Sequence, residues 1–456
     1  MDVTFALGGG QHAELMRHLY PGDGHEGVAL ALCGRGRACG AERLVARLIV
    51  PLPHEAVAHR GPDEIEWSVQ DHVLPLVETM ERDDLALVVV HCHPGGYPHF
   101  SGADDEADRL LFPSVHSWFD HPGAHGAAVM LPDGSVFGRA VAPDGSFAPF
   151  RRISVAGDDL HFYPLRSGDA AVPAAAKRVA QTFGAGTYSL LRGLRVAVVG
   201  CSGTGSIVAE LLARDCVGGL LLVDNDVVEP GNLTRILNAR LSDAQAGAAK
   251  VDVLAAAIRE FGLGTEVETV RGSVLDEAVA RRVARCDVAF GCMDTAEGRH
   301  VLGQLCSAYA IPLFDVGVHI EPDGAGGITH AVAAAHYVQP GGSSLLSRGV
   351  YSGEDLDSES SRRAAPDDYA RRVAAGYLRA VDEDRPAVMP LNMMAANLSV
   401  LDFLARIHRF RLDPNGVFAR QAMSLTHGYY EQGGDGDPCK AMMRHLGAGD
   451  FWHPPC

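Results

Sequence analysis

Several hallmarks are missing from this sequence of 456 residues. The ten cysteines are scattered and no two are spaced as Cys-x-x-Cys. That pattern fits the reduced thiols of a cytoplasmic protein better than a disulfide framework. Basic residues are scarce: 39 Lys and Arg stand against 57 Asp and Glu, for a formal net charge of -18. Such a surface repels phosphate backbones, so nucleic acid is not an expected partner, and any cations that handle a phosphate must be gathered locally. No apolar run is long enough to cross a bilayer; Leu85–Val90 has the length of a buried strand. The opening MDVTFALGGGQHAEL has neither a basic region nor a sustained apolar stretch, so neither a secretory signal nor membrane association is expected. The 52 glycines follow no three-residue period, which excludes a collagen-like chain. With 47% hydrophobic residues wholesale disorder is excluded too, and the length suits about two to three domains.

Strand-like runs at Gly27–Cys33, Leu44–Pro51, Leu85–His91 and Ala127–Met130 flank helical stretches at Glu64–Glu81 and Asp104–Leu111. These predict a mixed α/β domain over 1–155, followed by a Gly/Asp/Pro-containing linker at 156–180. From 181 to 456 a second domain is expected. Its first half alternates strand and helix, from Leu194–Val199 and Ser206–Ala213 to Pro312–Val316. That alternation predicts a parallel, doubly wound, Rossmann-like sheet. Ser352–Arg372 is highly charged and apolar-poor, which predicts a solvated, mobile loop spanning about 340–390.

The strand at Leu85–His91 ends in His91-Cys92-His93-Pro94, followed by Ser101 and Asp104. Residues two apart on a strand point to one side, so His91 and His93 project together. With Asp104 they form the pattern H-x-H-x(7)-S-x(2)-D, two imidazoles and a carboxylate for one divalent ion. Ser101-Gly-Ala-Asp104 also reads as a helix capping box, and both readings can hold together. The pattern resembles the JAMM (MPN+) zinc isopeptidases, which cleave ubiquitin-like tails. The resemblance implies one zinc on His91, His93 and Asp104, Ser101 steadying the oxyanion, and an early-strand glutamate as acid and base. Glu26 suits that last role, with Glu42, Glu55 and Glu64 also upstream.

A second constellation begins at the apolar strand Leu194–Val199, which runs into Gly200-Cys-Ser-Gly203-Thr-Gly205-Ser206 and a helix. Glycines there permit a tight turn and close approach of backbone N–H groups to phosphates. Asp224 ends the next strand, where a carboxylate can grip ribose hydroxyls, so a plain dinucleotide site remains open at this point. Beyond it come Asn232, Arg235, Lys250 and Asp294, the last after another apolar strand. Two cations suit a triphosphate and the late carboxylate suits its magnesium. This stretch resembles the ubiquitin-activating (ThiF/MoeB/HesA) adenylating enzymes. The resemblance implies ATP-dependent adenylation of the C-terminal glycine of a ubiquitin-like protein or peptide. Gly200, Gly203, Gly205, Asn232, Arg235 and Lys250 would hold phosphates, Asp224 ribose, and Asp294 Mg2+. It also implies a homodimer through this domain, with Arg178 a loose match to an arginine that reaches a partner's site, and a conjugating enzyme as a further partner.

Two positions depart from that family. Ser344 and Ser347 stand where many relatives have a Cys-x-x-Cys of a structural zinc, so no second zinc is expected. No cysteine lies between Cys306 and Cys439, which leaves the crossover region without a thioester nucleophile. Cys439 is the stand-in by position, and Cys201 reads as structural. Together the motifs suggest a bifunctional enzyme that trims or deconjugates a ubiquitin-like tail and also adenylates it. The alternative is a sulfur-carrier or peptide adenylating enzyme of cofactor or antibiotic biosynthesis.

Overall fold

Apolar residues at every second position give the early strands two buried faces. Ala29, Ala31 and Cys33 share one core cluster with Leu15 and Leu19, while Val28, Leu30 and Leu32 share another with Leu111, Phe112 and Val115. The sheet is therefore sandwiched between the helix Gly9–Leu19 on one side and the helix Gly102–Trp118 on the other. In this computed structural model the described residues are 1–38, 41–78, 84–119, 121–163, 172–381 and 386–454. The chain divides into two compact units, the first formed by Met1–Leu165 with Ser307–Ala310 and His445–His453, the second by the rest.

The strands of the first unit are β1 (Val3–Gly8), β2 (Val28–Ala38), β3 (Ala41–Pro51), β4 (His59–Arg60), β5 (Ile65–Glu66), β6 (Ala86–Cys92), β7 (His125–Met130), β8 (Val136–Val141), β9 (Phe147–Pro149), β10 (Arg152–Ala156) and β11 (Leu160–Tyr163). Nine of them form one mixed sheet in the order β11-β10-β1-β3-β2-β6-β7-β8-β9, and β4 and β5 pair separately. The sheet runs on through Tyr163, so the first part of the expected linker is a strand of this domain. Residues 164–171 of that linker lie outside the described residues. Among the described residues the expected helix Glu64–Glu81 begins only at Val69, because Ile65–Glu66 is taken into the small ribbon; residues 79–81 lie outside the described residues.

The second unit carries β12 (Arg195–Val199), β13 (Gly219–Val223), β14 (Glu266–Val270), β15 (Val288–Gly291), β16 (Leu313–Pro322), β17 (Ile328–Val338), β18 (Arg420–Ser424) and β19 (Tyr429–Gly433), in the order β14-β13-β12-β15-β16-β17-β18-β19. The first five are parallel, as the alternation predicts. The antiparallel extension β17-β18-β19 was not expected. Ser352–Arg372 differs from expectation too. It forms the helices Gly353–Ala364 and Pro366–Ala374, the first started by Ser352, whose hydroxyl oxygen accepts the Asp355 N–H. A helix needs caps and spacing rather than apolar content, so a charged stretch with Ser-x-x-Asp can form one.

Among the described residues no helix is long and apolar enough to cross a membrane. Phe112 is 1% exposed at the centre of the cluster between sheet and helix. Phe112→Ala should destabilise the first unit by about 3–5 kcal/mol, read as a shift of its urea transition; a loss below about 1 kcal/mol would contradict this packing.

Candidate active sites

In β6 the residues Leu87 and Val89 face the helix Gly102–Trp118, so His91, two positions further, faces the same way. Beyond the strand a turn closes from the Gly96 N–H to the His93 carbonyl and holds His93 beside it. Ser101 starts the helix: its Oγ accepts the Asp104 N–H at 3.1 Å, and its own N–H donates to Asp104 Oδ2 at 2.6 Å. The capping box thus aims the Asp104 carboxylate at the strand end. His91 Nε2 lies 3.2 Å from His93 Nε2 and 3.2 Å from Asp104 Oδ1, and His93 Nε2 lies 3.4 Å from Asp104 Oδ2. Donors around a tetrahedral zinc at about 2.1 Å stand about 3.4 Å apart, so this triangle fits such an ion. The Tyr97 carbonyl, 2.8 Å from His93 Nδ1, accepts its proton and leaves Nε2 as the ligand atom.

Glu26 lies in the loop just before β2, not on the strand itself. It is 5% exposed, and burial pushes its carboxyl up to about 7, while the imidazoles of His91 and His93 pull the other way. Burial would also raise Asp104, but hydrogen bonds from both histidines hold it far below the usual carboxylate range. His93 is raised: burial lowers it, and the bonds to Asp104 and Tyr97 outweigh that. Arg139 on β8 went unnoticed in the sequence. Its guanidinium bonds Asp108 Oδ2 at 2.6 Å, pairs with Asp105, donates to the Asp104 carbonyl at 3.3 Å and stacks 3.8 Å over Phe100. It fastens the acidic first turns of the helix that carries Asp104. A lone arginine between the apolar residues of a buried strand was the available signal.

In the second unit β12 sits between β13 and β15, so strand order reverses beside it and a crevice opens at the carboxyl ends. A cavity of about 750 Å³ lies there, lined by Gly200, Gly203, Asp224, Arg235, Lys250 and Asp294 among others. The turn after β12 is held by a carboxylate. Asp224 Oδ2 accepts the Cys201 N–H at 2.6 Å and Oδ1 accepts the Asp226 N–H at 2.8 Å. Burial raises the Asp224 pKa, with Lys250 opposing. Lys250 is 6% exposed and its Nζ lies 2.7 Å from Asp226 Oδ2. A triphosphate needs such an anchored cation at a glycine turn, so the residues present fit ATP.

Two of the expected contacts are not made at the cavity. Asn232 is not on its wall; its Oδ1 accepts the Glu229 N–H at 3.2 Å and closes a short turn. Gly205 lies beneath the turn, against the Gly200 carbonyl. Arg178, expected to reach a partner's site, lies on the helix Lys177–Gly193. The crossover helix contributes instead: Glu359 Oε2 accepts the Glu297 N–H at 2.8 Å, the Glu297 carboxylate holds Arg363 at 2.7 Å, and Arg362 joins them on the wall. Spacing of i, i+3 and i+4 on a helix was the signal for that set. Cys439 is 6% exposed; burial would raise its thiol, but hydrogen bonds from Ser344, the Met442 and Ala441 backbone and Ser347 lower it. So buried a thiol makes a poor acceptor for a protein-sized acyl group. Cys201 is fully buried beneath the turn, as a structural thiol should be.

A nucleotide-sized crevice at the switch point of a doubly wound sheet defines a class, the dinucleotide- and ATP-binding α/β proteins. The model described as the ThiF family matches residues 175–419, more than half of the sequence. The chain belongs to the ThiF family. It is similar to Adenylyltransferase and sulfurtransferase MOCS3 of Bos taurus, 39% identical over 119 residues, or 26% of this chain and 26% of that protein. It is also similar to Ubiquitin-like modifier-activating enzyme 5 of Oryza sativa subsp. japonica, 31% identical over 147 residues, or 29% of this chain and 34% of that protein. The chain thus spans about a quarter to a third of the length of these curated relatives. Among solved structures, E. coli MccB with ATP aligns over 59% of this chain and 74% of that one, at 18% identity and a TM-score of 0.44.

Asp224 satisfies two backbone donors beside the glycine turn. Asp224→Ala should cost the second unit about 1–3 kcal/mol per N–H left buried, and a denaturation midpoint unchanged from wild type would contradict the role given to this carboxylate.

Proposed function

We propose that the second unit is an ATP-dependent adenylyltransferase acting on the C-terminal carboxylate of a ubiquitin-like protein, sulfur carrier or peptide. The observation that carries this reading is the gathering of Asp224, Arg235, Lys250 and Asp294 around one cavity at the strand switch point. The carboxylate attacks the α-phosphorus in line, a carboxyl–phosphate bond forms, and the bond to the leaving pyrophosphate breaks. Lys250 and Arg235 offset the charge that builds on the phosphates, and Asp224 takes the ribose hydroxyls. Asp294 would hold Mg2+, which would supply positive charge to the triphosphate. The bovine relative is an adenylyltransferase and sulfurtransferase and the rice relative activates a ubiquitin-like modifier, which supports adenylation as the reaction.

We further propose that the first unit is a zinc-dependent peptidase or isopeptidase for the same kind of tail. The converging triangle of His91, His93 and Asp104 is the observation behind it. A zinc ion held by His91, His93 and Asp104 would supply a Lewis acid and a water whose pKa is lowered to about 7. Glu26, with its carboxyl near neutrality, can take a proton on one side of the reaction and return it to the leaving amine. Ser101 has its oxygen engaged by the Asp104 N–H, which leaves its O–H to donate to a developing oxyanion. The ThiF family match, residues 175–419, lies outside these residues.

Adenylation predicts ATP–pyrophosphate exchange that depends on a substrate ending in a free C-terminal glycine, and Lys250→Ala should lower it at least about 100-fold. Exchange unaffected by that substitution would overturn the first proposal. For the second, metal analysis should find one zinc per chain, absent in His93→Ala; equal zinc in both proteins would overturn it.

A further inference from the structure

Glu26 ends a loop built with glycine, Gly22 at φ +97 and Gly24 at φ +74. Such a loop offers many paths to the chain, whereas proton transfer needs a carboxylate held within hydrogen-bond reach of the reacting atoms. Two anchors meet that need. β2 opens with Val28 opposite His91, and one step further out Gly27 meets Cys92. The Cys92 N–H donates to the Gly27 carbonyl at 3.2 Å, and the Gly27 N–H donates to Cys92 Sγ, also at 3.2 Å. The thiol is fixed in turn by donating to the Leu19 carbonyl at 3.1 Å. One side of the Glu26–Gly27 step is thus tied to the residue between the two histidines.

The other side is tied to the ribbon of β4 and β5. The Glu26 N–H donates to the Gly61 carbonyl at 2.8 Å, and Arg60 Nε donates to the Glu26 carbonyl at 2.7 Å. Arg60 is itself aimed by Asp23, whose Oδ2 lies 2.9 Å from Nη1 and whose Oδ1 accepts the His25 N–H at 3.1 Å. A ribbon of two residues per strand is marginal alone, so its pairing with this loop gives it a task. The charges that act most on the Glu26 carboxyl are those of His91, His93, Asp104 and Asp63, so Arg60 reaches it through the backbone and not by charge. Resting on the peptidase reading above, we propose that Arg60 is a positioning residue: with Gly61 it grips the backbone of Glu26 and holds the carboxylate against the site of His91, His93 and Asp104.

The test uses the zinc-loaded full chain and acetohydroxamate, a zinc chelator whose protons can be shared with a neighbouring carboxylate. By calorimetry Glu26→Gln should weaken its binding about tenfold, the worth of one such hydrogen bond. Arg60→Ala should weaken it at least about fivefold with zinc content unchanged, yet less than about twofold when introduced into Glu26→Gln, because the two residues act as one unit. Asp23→Ala, at an exposed position that spares the fold, should weaken binding about two- to threefold and lose that effect in Glu26→Gln as well. A merely structural role would weaken both backgrounds equally. Wild-type affinity in both Arg60→Ala and Asp23→Ala overturns this inference alone, as does an equal loss in the two backgrounds or an affinity that Glu26→Gln leaves unchanged. Failure of the wild type to take up zinc overturns the peptidase reading together with it.

Discussion

The close approach of backbone to backbone at the turn after β12 is the constraint on which the nucleotide site rests. A Cβ at Gly205 would lie 1.8 Å from the Gly200 carbonyl oxygen, and one at Gly200 would lie 2.7 Å from the Cys292 carbonyl oxygen. Gly200 also adopts φ +91, a region that other residues rarely enter. Only with both side chains absent can the strand end, the loop carrying Asp294 and the helix Gly203–Arg214 meet at one point. Asp224 then locks the turn from the neighbouring strand through the Cys201 N–H. Chemistry at the cavity inherits its geometry from this packing rather than from the cations themselves.

Charge is handled locally in both units. In a protein of net charge -18, Lys250 is kept nearly buried and paired with Asp226, which orients it while leaving it facing the cavity. In the first unit Arg139 gathers the carboxylates at the start of the helix Gly102–Trp118, so that Asp104 alone turns to the histidines. Each site thus has a member of opposite charge whose task is positioning. Such partners leave no spacing in the sequence, because they come from distant strands.

Much of this was legible from residue patterns. The parallel strands of the second unit appear where alternation of apolar runs placed them, because strands buried on both faces read as continuous apolar segments. The convergence of His91, His93 and Asp104 was legible for a local reason: the two histidines share a strand end, and Asp104 sits on the capping box that follows. Less visible were β1 and its helix Gly9–Leu19, where three consecutive glycines, Gly8 to Gly10, suggest a loop and tertiary burial of Leu15 and Leu19 overrides them. The helices within Ser352–Arg372 were hidden by their composition, and the strands β17 to β19 by irregular periodicity.

Residue types and short spacings determined the two chemistries available to this chain: imidazoles with a carboxylate, and a glycine turn with cations. They did so because each set rests on one strand end and the segment that follows it, where local geometry is dictated by sequence. Which members reach the same space was decided by the tertiary structure alone. Asn232, expected at the phosphates, is spent on closing its own turn, whereas Asn392, a residue of no visible motif, is carried to the glycine turn by a helix nearly two hundred positions further on. Long-range packing sets that outcome, since the energy of burying an amide depends on neighbours that no stretch of sequence contains.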